Sequence, residues 1–281
     1  MSVKILLALP LFAPSKIHFD RQMRSIQALA EYINADPIVI EMLDIVYSGW
    51  VPNKEYRDLI SGFLQNSLPS AKIFFLDKNY GKSVIVNKIV FDYYESNPEC
   101  RSFITWDSDM IMMMDQPHFF QRLAIYPDAI QKQTGKAFGF VGINQAGEGC
   151  HWLDTMKEGM KYNVAPFNID EEAIWPSNAS GIAGGGLLIN IKGFVSVKGY
   201  RPQINPYGSD DGFCGVDFYQ LGYHIGVLKT LFIEHPPTPA NHKYIAWKST
   251  VIKDFDKPFD IDVYNANVES SMKFWLDNPE G

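Results

Sequence analysis

The chain has 281 residues, 46% hydrophobic and 14% aromatic, enough for a substantial core in one large α/β domain or two small ones and too apolar for a disordered segment. A formal charge of −7 with no long Lys/Arg cluster argues against a non-specific polyanion binder. Three widely spaced cysteines, Cys100, Cys150 and Cys214, suggest neither a disulfide framework nor a C-x-x-C zinc site, and fit a reducing compartment, the cytoplasm.

The opening VKILLALPLF predicts a fully buried strand. Pro10 and Pro14 interrupt this run too early for a signal peptide, and no apolar run of about eighteen residues, as a transmembrane segment requires, occurs elsewhere. FDRQMRSIQALAEYI predicts an amphipathic helix with Met23, Ile26, Leu29, Ala30 and Ile33 on one face. PIVIEMLDI predicts a second strand, KEYRDLISGFLQ a helix, and AKIFFLD a third strand closed by a turn at KNYGK. SVIVNKIVFDYYES predicts a helix ending before Asn97 and Pro98, and RSFITWDSDM a fourth strand. Such alternation implies a mostly parallel sheet covered by helices.

Beyond HFFQRLAIYPDAIQKQTG and the strand KAFGFVGIN lies a loop-rich stretch, residues 148 to 181, of the irregular kind that tends to carry binding. GGLLINI predicts a strand, FYQLGYHIGVLK a helix running into a strand, TLFIEHPP a strand end, and FWLDNPEG a fraying terminus. No internal repeat is visible. The chain therefore reads as one domain, with a nucleotide-binding half at 1–115, an acceptor-binding half at 116–250 and a C-terminal tail at 251–281.

Within ITWDSDMIM, burying Asp107 and Asp109 would cost several kcal/mol unless something pairs with them. On an extended strand these two acids share a face, with Cα atoms about 6 to 7 Å apart. At the carboxyl end of a parallel strand they would meet the ligand crevice. There a divalent cation held by few carboxylates completes its shell with phosphate oxygens, which makes a nucleotide diphosphate a natural partner. Turn or capping aspartates are the other reading of the same pair.

The order of further motifs carries a resemblance. The D-x-D after the fourth strand, then AGGGLLINIKGF, YGSDDGF and EHP, make residues 3 to 240 resemble a GT-A fold, family-2-like, nucleotide-sugar glycosyltransferase. That resemblance implies an α/β, Rossmann-like fold with a mixed, mostly parallel sheet flanked by helices. It implies transfer of a sugar from a nucleotide sugar, a UDP-sugar, to an acceptor hydroxyl with the help of Mn²⁺ or Mg²⁺. Asp107 and Asp109, with Trp106 and Ser108 beside them, become donor and metal residues. KNYGKSVIVNKI is similar to the nucleotide-pocket segment of this superfamily and nominates Asn79, Gly81, Lys82 and Asn87. Pro10, Leu11 and Phe12 match the strand end that meets the base. His235 of FIEHPP supplies a third metal ligand, with His242 in reserve.

Three consecutive glycines, Gly184, Gly185 and Gly186, precede a strand with no need of flexibility, so close approach of another group, such as a sugar, is one cause and a turn the other. By the family pattern Asp211 is the base that deprotonates the acceptor and Asp210 a sugar ligand. The roles are exchangeable, and helix capping is the alternative for both. The usual glutamate of this acidic pair is aspartate here, which keeps a retaining route open beside the inverting one. Trp152, Trp175 and Tyr207 are candidates for stacking on sugar or base rings. The acceptor is not readable: a glycan, lipid, protein side chain or modified nucleobase all offer a hydroxyl. Two rival classes are a haloacid-dehalogenase-like phosphatase with Asp107 as nucleophile, a match that Ile111 breaks, and a non-catalytic carbohydrate-binding module.

Overall fold

The structure, a computed structural model, describes residues 4–147, 161–164, 169–173, 182, 185–201, 203, 205–206, 210–237, 239–240, 242–251 and 258–280. Its centre is β1 (Ile5–Phe12), flanked in parallel by β2 (Leu43–Trp50) and β4 (Ser102–Trp106), with β3 (Lys72–Leu76) outside β2. Seven of the eight β1 residues are buried, which is why a near-continuous apolar run suits this strand. Alternation splits that run between two faces. Ile5, Leu7, Leu9 and Leu11 join one core cluster, whereas Leu6 and Ala8 join the other.

The first cluster is covered by α1 (Lys16–Asn34), α2 (Pro37–Met42), α3 (Lys54–Ser67) and α5 (Phe119–Thr134). On the opposite face lie α4 (Gly81–Ser96), α6 (Ile191–Ser196) and α7 (Asp210–Gln220). The sheet continues past β4 with β9 (Gly186–Asn190), antiparallel to both β4 and β6 (Phe138–Gly147). Next come β10 (His224–His235), parallel to β6, then the antiparallel β8 (Ile169–Ala173) and β7 (Lys161–Val164) at the edge. The sheet is mixed, with its parallel strands concentrated at the β3–β2–β1–β4 end.

Three expectations are corrected. PIVIEMLDI is not one strand: Pro37 sits in the first turn of α2, and the Ile38 N–H donates to the Asp36 carboxylate at 3.0 Å, so a helix starts inside the apolar run and β2 begins only at Leu43. The fourth strand ends at Trp106, so Asp107 and Asp109 are not on extended backbone. They occupy a turn in which the Met110 N–H donates to the Asp107 carbonyl at 3.1 Å, before the short β5 (Ile111–Met112). Nor does the C-terminus fray. After α8 (His242–Val251), the chain forms α9 (Ile261–Leu276), N-capped by Asp260, and Trp275 is fully buried. Among the described residues no helix is long and apolar enough to cross a membrane.

Candidate active site

Strand order reverses between β1 and β4, and an open α/β sheet leaves a crevice beyond the carboxyl ends of its strands at such a point. One cleft with about 970 Å³ of empty space, its open mouth included, occupies that place. It is lined by Pro10, Leu11 and Phe12 from the end of β1, by Asn79, Gly81 and Lys82 from the β3–α4 connection, and by Asp107, Ser108 and Asp109 from the turn after β4. His235 joins them because β5, directly after that turn, pairs antiparallel with β10 at Ile233 and Glu234. Segments separated by more than a hundred residues thus meet at one end of the sheet.

Each acid of the turn has a cationic partner. Lys82 Nζ lies 2.6 Å from Asp107 Oδ1. Arg21 donates to Asp109 Oδ2 from both Nη2 (2.5 Å) and Nε (3.0 Å). The turn is fixed to the sheet by the Asp107 N–H, which donates to the Gly185 carbonyl at 3.3 Å. These contacts supply the pairing that half-buried carboxylates need.

The Asn79–Gly81 loop is set by local geometry. The Gly81 N–H donates to the Asn79 side-chain oxygen at 3.1 Å, and Tyr80, the N-cap of α4, provides no side-chain cap. Gly81 has φ +75°, and a Cβ there would run into the backbone of Pro206, another cleft residue. Gly81→Ala is therefore expected to cost about 1–3 kcal/mol through backbone strain and to push the Pro206 wall outward. Thermal melting together with nucleotide titration checks this, and a variant equal to wild type in both would show that the turn tolerates a side chain.

Not every nominated residue reaches the cleft. Asn87 faces away: its amide donates to the Tyr200 carbonyl at 2.9 Å and accepts the Tyr200 N–H at 2.8 Å, fastening the segment after α6 to α4. Trp106, 2% exposed, belongs to the core beneath the site. Close approach does explain Gly185 and Gly186, but the neighbours are protein groups. A Cβ on Gly185 would overlap the Gln145 amide, and one on Gly186 would come within 2.5 Å of Ile233 Cδ1. Asp211 lies in the first turn of α7, where its carboxylate accepts the Gly212 N–H at 2.9 Å, and it is not among the residues lining the cleft. Gly184, Trp152, Trp175 and Tyr207 fall outside the described residues, as do the side chains of Asp210 and His242.

The cleft also contains residues that local pattern did not reveal: His18 and Arg21 from α1, and Tyr244, Trp247 and Lys248 from α8. Trp247 stacks on Phe12 with ring centroids 5.7 Å apart and planes at 20°. Burial, reinforced by the Arg21 charge, pushes the His18 imidazole down to about 3, so the ring is neutral, with Nδ1 hydrogen-bonded to the Ser15 hydroxyl at 2.8 Å. Burial, with the Asp109 charge adding to it, pushes Tyr244 up to about 12. Helix α9 braces this wall and the loop together. The Trp247 indole N–H donates to Ser271 at 2.9 Å, the Asn79 N–H to the Met272 sulfur at 3.4 Å, and the Tyr264 hydroxyl to the Tyr80 carbonyl. The i, i+3, i+4 spacing of Tyr244, Trp247 and Lys248 was the available signal for α8.

The three side chains expected to hold a divalent ion, Asp107, Asp109 and His235, all line the cleft, with Asp107 tied to Lys82 and Asp109 and His235 left as the donors. His235 Nδ1 is buried and has no hydrogen-bond partner among the described residues, the condition of an imidazole awaiting a ligand. Among the same residues no three His, Cys, Asp or Glu side chains gather into a ready cation cage. Hard divalent ions bound by few protein groups draw the rest of their shell from phosphate and water. The residues present fit an ion completed in that way.

Many solved structures match the chain, and three of them match it with similar quality. The chain aligns with Staphylococcus aureus TarS 1–349 over 97% of its own length and 70% of that chain, at 12% identity and TM-score 0.55. It aligns with mannosyltransferase PcManGT from Pyrobaculum calidifontis, in complex with GDP-Man and Mn²⁺, over 100% and 71%, at 11% identity and TM-score 0.58. With GalNAc-T7, bound to UDP, GalNAc and Mn²⁺, it shares 98% of its length and 56% of that chain, at 11% identity and TM-score 0.53. The fold is the GT-A fold. No family model matches the sequence, and no curated protein matches it. At such identity the likeness establishes the GT-A architecture, and function has to be argued from the cleft.

Proposed function

We propose that the chain is a glycosyltransferase that moves a sugar from a nucleotide sugar, a UDP-sugar, to an acceptor hydroxyl with inversion and with a divalent metal ion as cofactor. One observation carries this reading: the end of β1, the Asn79–Lys82 loop and the Asp107–Asp109 turn line a single cleft at the point where strand order reverses. The three matched structures are of glycosyltransferases or of TarS, and two hold a nucleotide or nucleotide sugar with Mn²⁺, which supports the same chemistry here.

In this reading Pro10, Leu11 and Phe12, backed by Trp247, receive the base. Lys82, in the first turn of α4, presents its charge to the diphosphate, together with amides at the start of that helix. Asp109 and His235 would hold the metal ion, which when bound neutralises charge on the departing diphosphate. Asp211 follows the cleft residue Pro206 closely in sequence and is assigned as the base for the acceptor hydroxyl. Asp211→Asn is expected to keep UDP affinity and to lose transfer by about 10²–10⁴-fold. Unchanged transfer, measured in the same preparation, would reduce Asp211 to a helix cap. The phosphatase alternative asks Asp107 to act as nucleophile, yet its carboxylate is tied to Lys82.

A donor panel tests the whole proposal. UDP- and GDP-sugars are supplied with a mixture of hydroxyl acceptors and Mn²⁺ or a chelator, and nucleotide release is scored. Release from a UDP-sugar only with metal is the expected result. Release from no donor, with hydrolysis of a simple phosphate ester instead, would overturn it.

A further inference from the structure

Arg21 occupies a particular place in the cleft. Its guanidinium takes Asp109 through Nε and Nη2, while Nη1 donates to the Pro237 carbonyl at 2.7 Å and Nη2 also approaches the Pro236 carbonyl at 3.4 Å. Pro236 and Pro237 directly follow His235. The arginine therefore ties the acid turn to the chain just after His235, the other residue proposed to hold the ion. Both side chains are largely shielded, Arg21 at 15% exposure and Asp109 at 21%, so the pair is little weakened by solvent.

We propose that Arg21 keeps divalent ions off Asp109 until a nucleotide diphosphate arrives, and that the diphosphate then takes the guanidinium and admits the ion. The inference rests on the reading of the cleft as a metal-assisted nucleotide-sugar site and goes beyond it by assigning an order of loading. Charge balance dictates that order. Asp107 and Asp109 are matched by Lys82 and Arg21, and Lys248 adds a further positive charge at the wall. A divalent ion entering alone would have to expel Arg21, and the other carboxylate among the described lining residues, Asp107, already holds Lys82. A diphosphate with both phosphates ionised changes both terms: its oxygens complete the ion's shell, and they offer the guanidinium a fork-shaped partner equal to a carboxylate. The hold of Nη1 on Pro237 lets the arginine swing between the two acceptors without leaving the site.

The test measures Mn²⁺ alone, by the electron paramagnetic resonance signal of the free ion, on wild type, Arg21→Ala and Arg21→Lys, without and with UDP. Wild type without UDP is expected to bind Mn²⁺ at least on the order of tenfold more weakly than Arg21→Ala, and to close that gap when UDP is added. Arg21→Lys, which keeps the charge and loses the fork, should fall between them. A merely structural role would lower metal affinity in the variants, so a gain is diagnostic, and melting curves confirm that each variant is folded. Equal Mn²⁺ affinity of wild type and Arg21→Ala without UDP, with both binding in its presence, would overturn the loading order and leave the metal site standing. No Mn²⁺ bound by wild type even with UDP would overturn both.

Discussion

Asp109→Ala is expected to abolish metal-dependent transfer, lowering nucleotide release from the preferred donor by about 10²–10³-fold, the usual loss when one preorganised charge-stabilising group is removed. The same substitution deprives Arg21 of its carboxylate. Because Nη1 keeps the Pro237 carbonyl at 2.7 Å, the cost of that loss to folding should stay within about 1–3 kcal/mol. A destabilisation of that size cannot account for the expected fall in rate. Asp109→Asn separates the causes further, since it preserves the shape of the turn and one acceptor for Arg21 while removing the charge. Both variants should therefore melt close to wild type and fail equally in transfer. Should either one release nucleotide at the wild-type rate, Asp109 has no part in holding a metal ion.

What the sequence revealed and what it hid follow from the range of the interactions. β1 was legible because burial on both faces leaves no position for a polar residue, and the β3–α4 turn because the Asn79–Gly81 bond and a positive φ are decided within three residues. The acid pair was legible as two carboxylates in need of partners but not as backbone. An apolar run on both sides disguised a turn at Asp107–Met110 as continuous strand, much as the run after Asp36–Pro37 disguised a helix start. Arg21 escaped notice because its partner is 88 residues away, and nothing in the local pattern of α1 distinguishes it from a solvated arginine. At Gly185 and Gly186 close approach is real, but Gln145 and Ile233 are the groups that approach. The part of the cleft around Asn79–Lys82 and Asp107–Asp109 is built from turns with their own sequence signals. The aromatic wall comes from helices that signal only their amphipathicity.

That wall leads to the largest expected effect on stability. Trp275 is fully buried, with its ring centroid 4.4 Å from His18 in edge-to-face geometry and 5.3 Å from Trp247. Its indole nitrogen has no hydrogen-bond partner among the described residues, so the side chain is held by packing. Trp275→Ala should cost about 3–5 kcal/mol and lower the melting temperature by roughly 10 °C. The loss should also reach the cleft. Trp247 is held by the Ser271 hydrogen bond and by the Trp275 ring, both from α9, and without the latter its stack on Phe12 should loosen. A weakened aromatic pair amounts to about 0.5–1.5 kcal/mol, so UDP affinity should fall several-fold in protein that is still folded below its melting point. Trp275→Phe, which keeps an edge against His18, should recover most of both losses. If Trp275→Ala instead melts with wild type and binds UDP unchanged, α9 does not hold the wall, and the shape of the cleft around Phe12 is set without it.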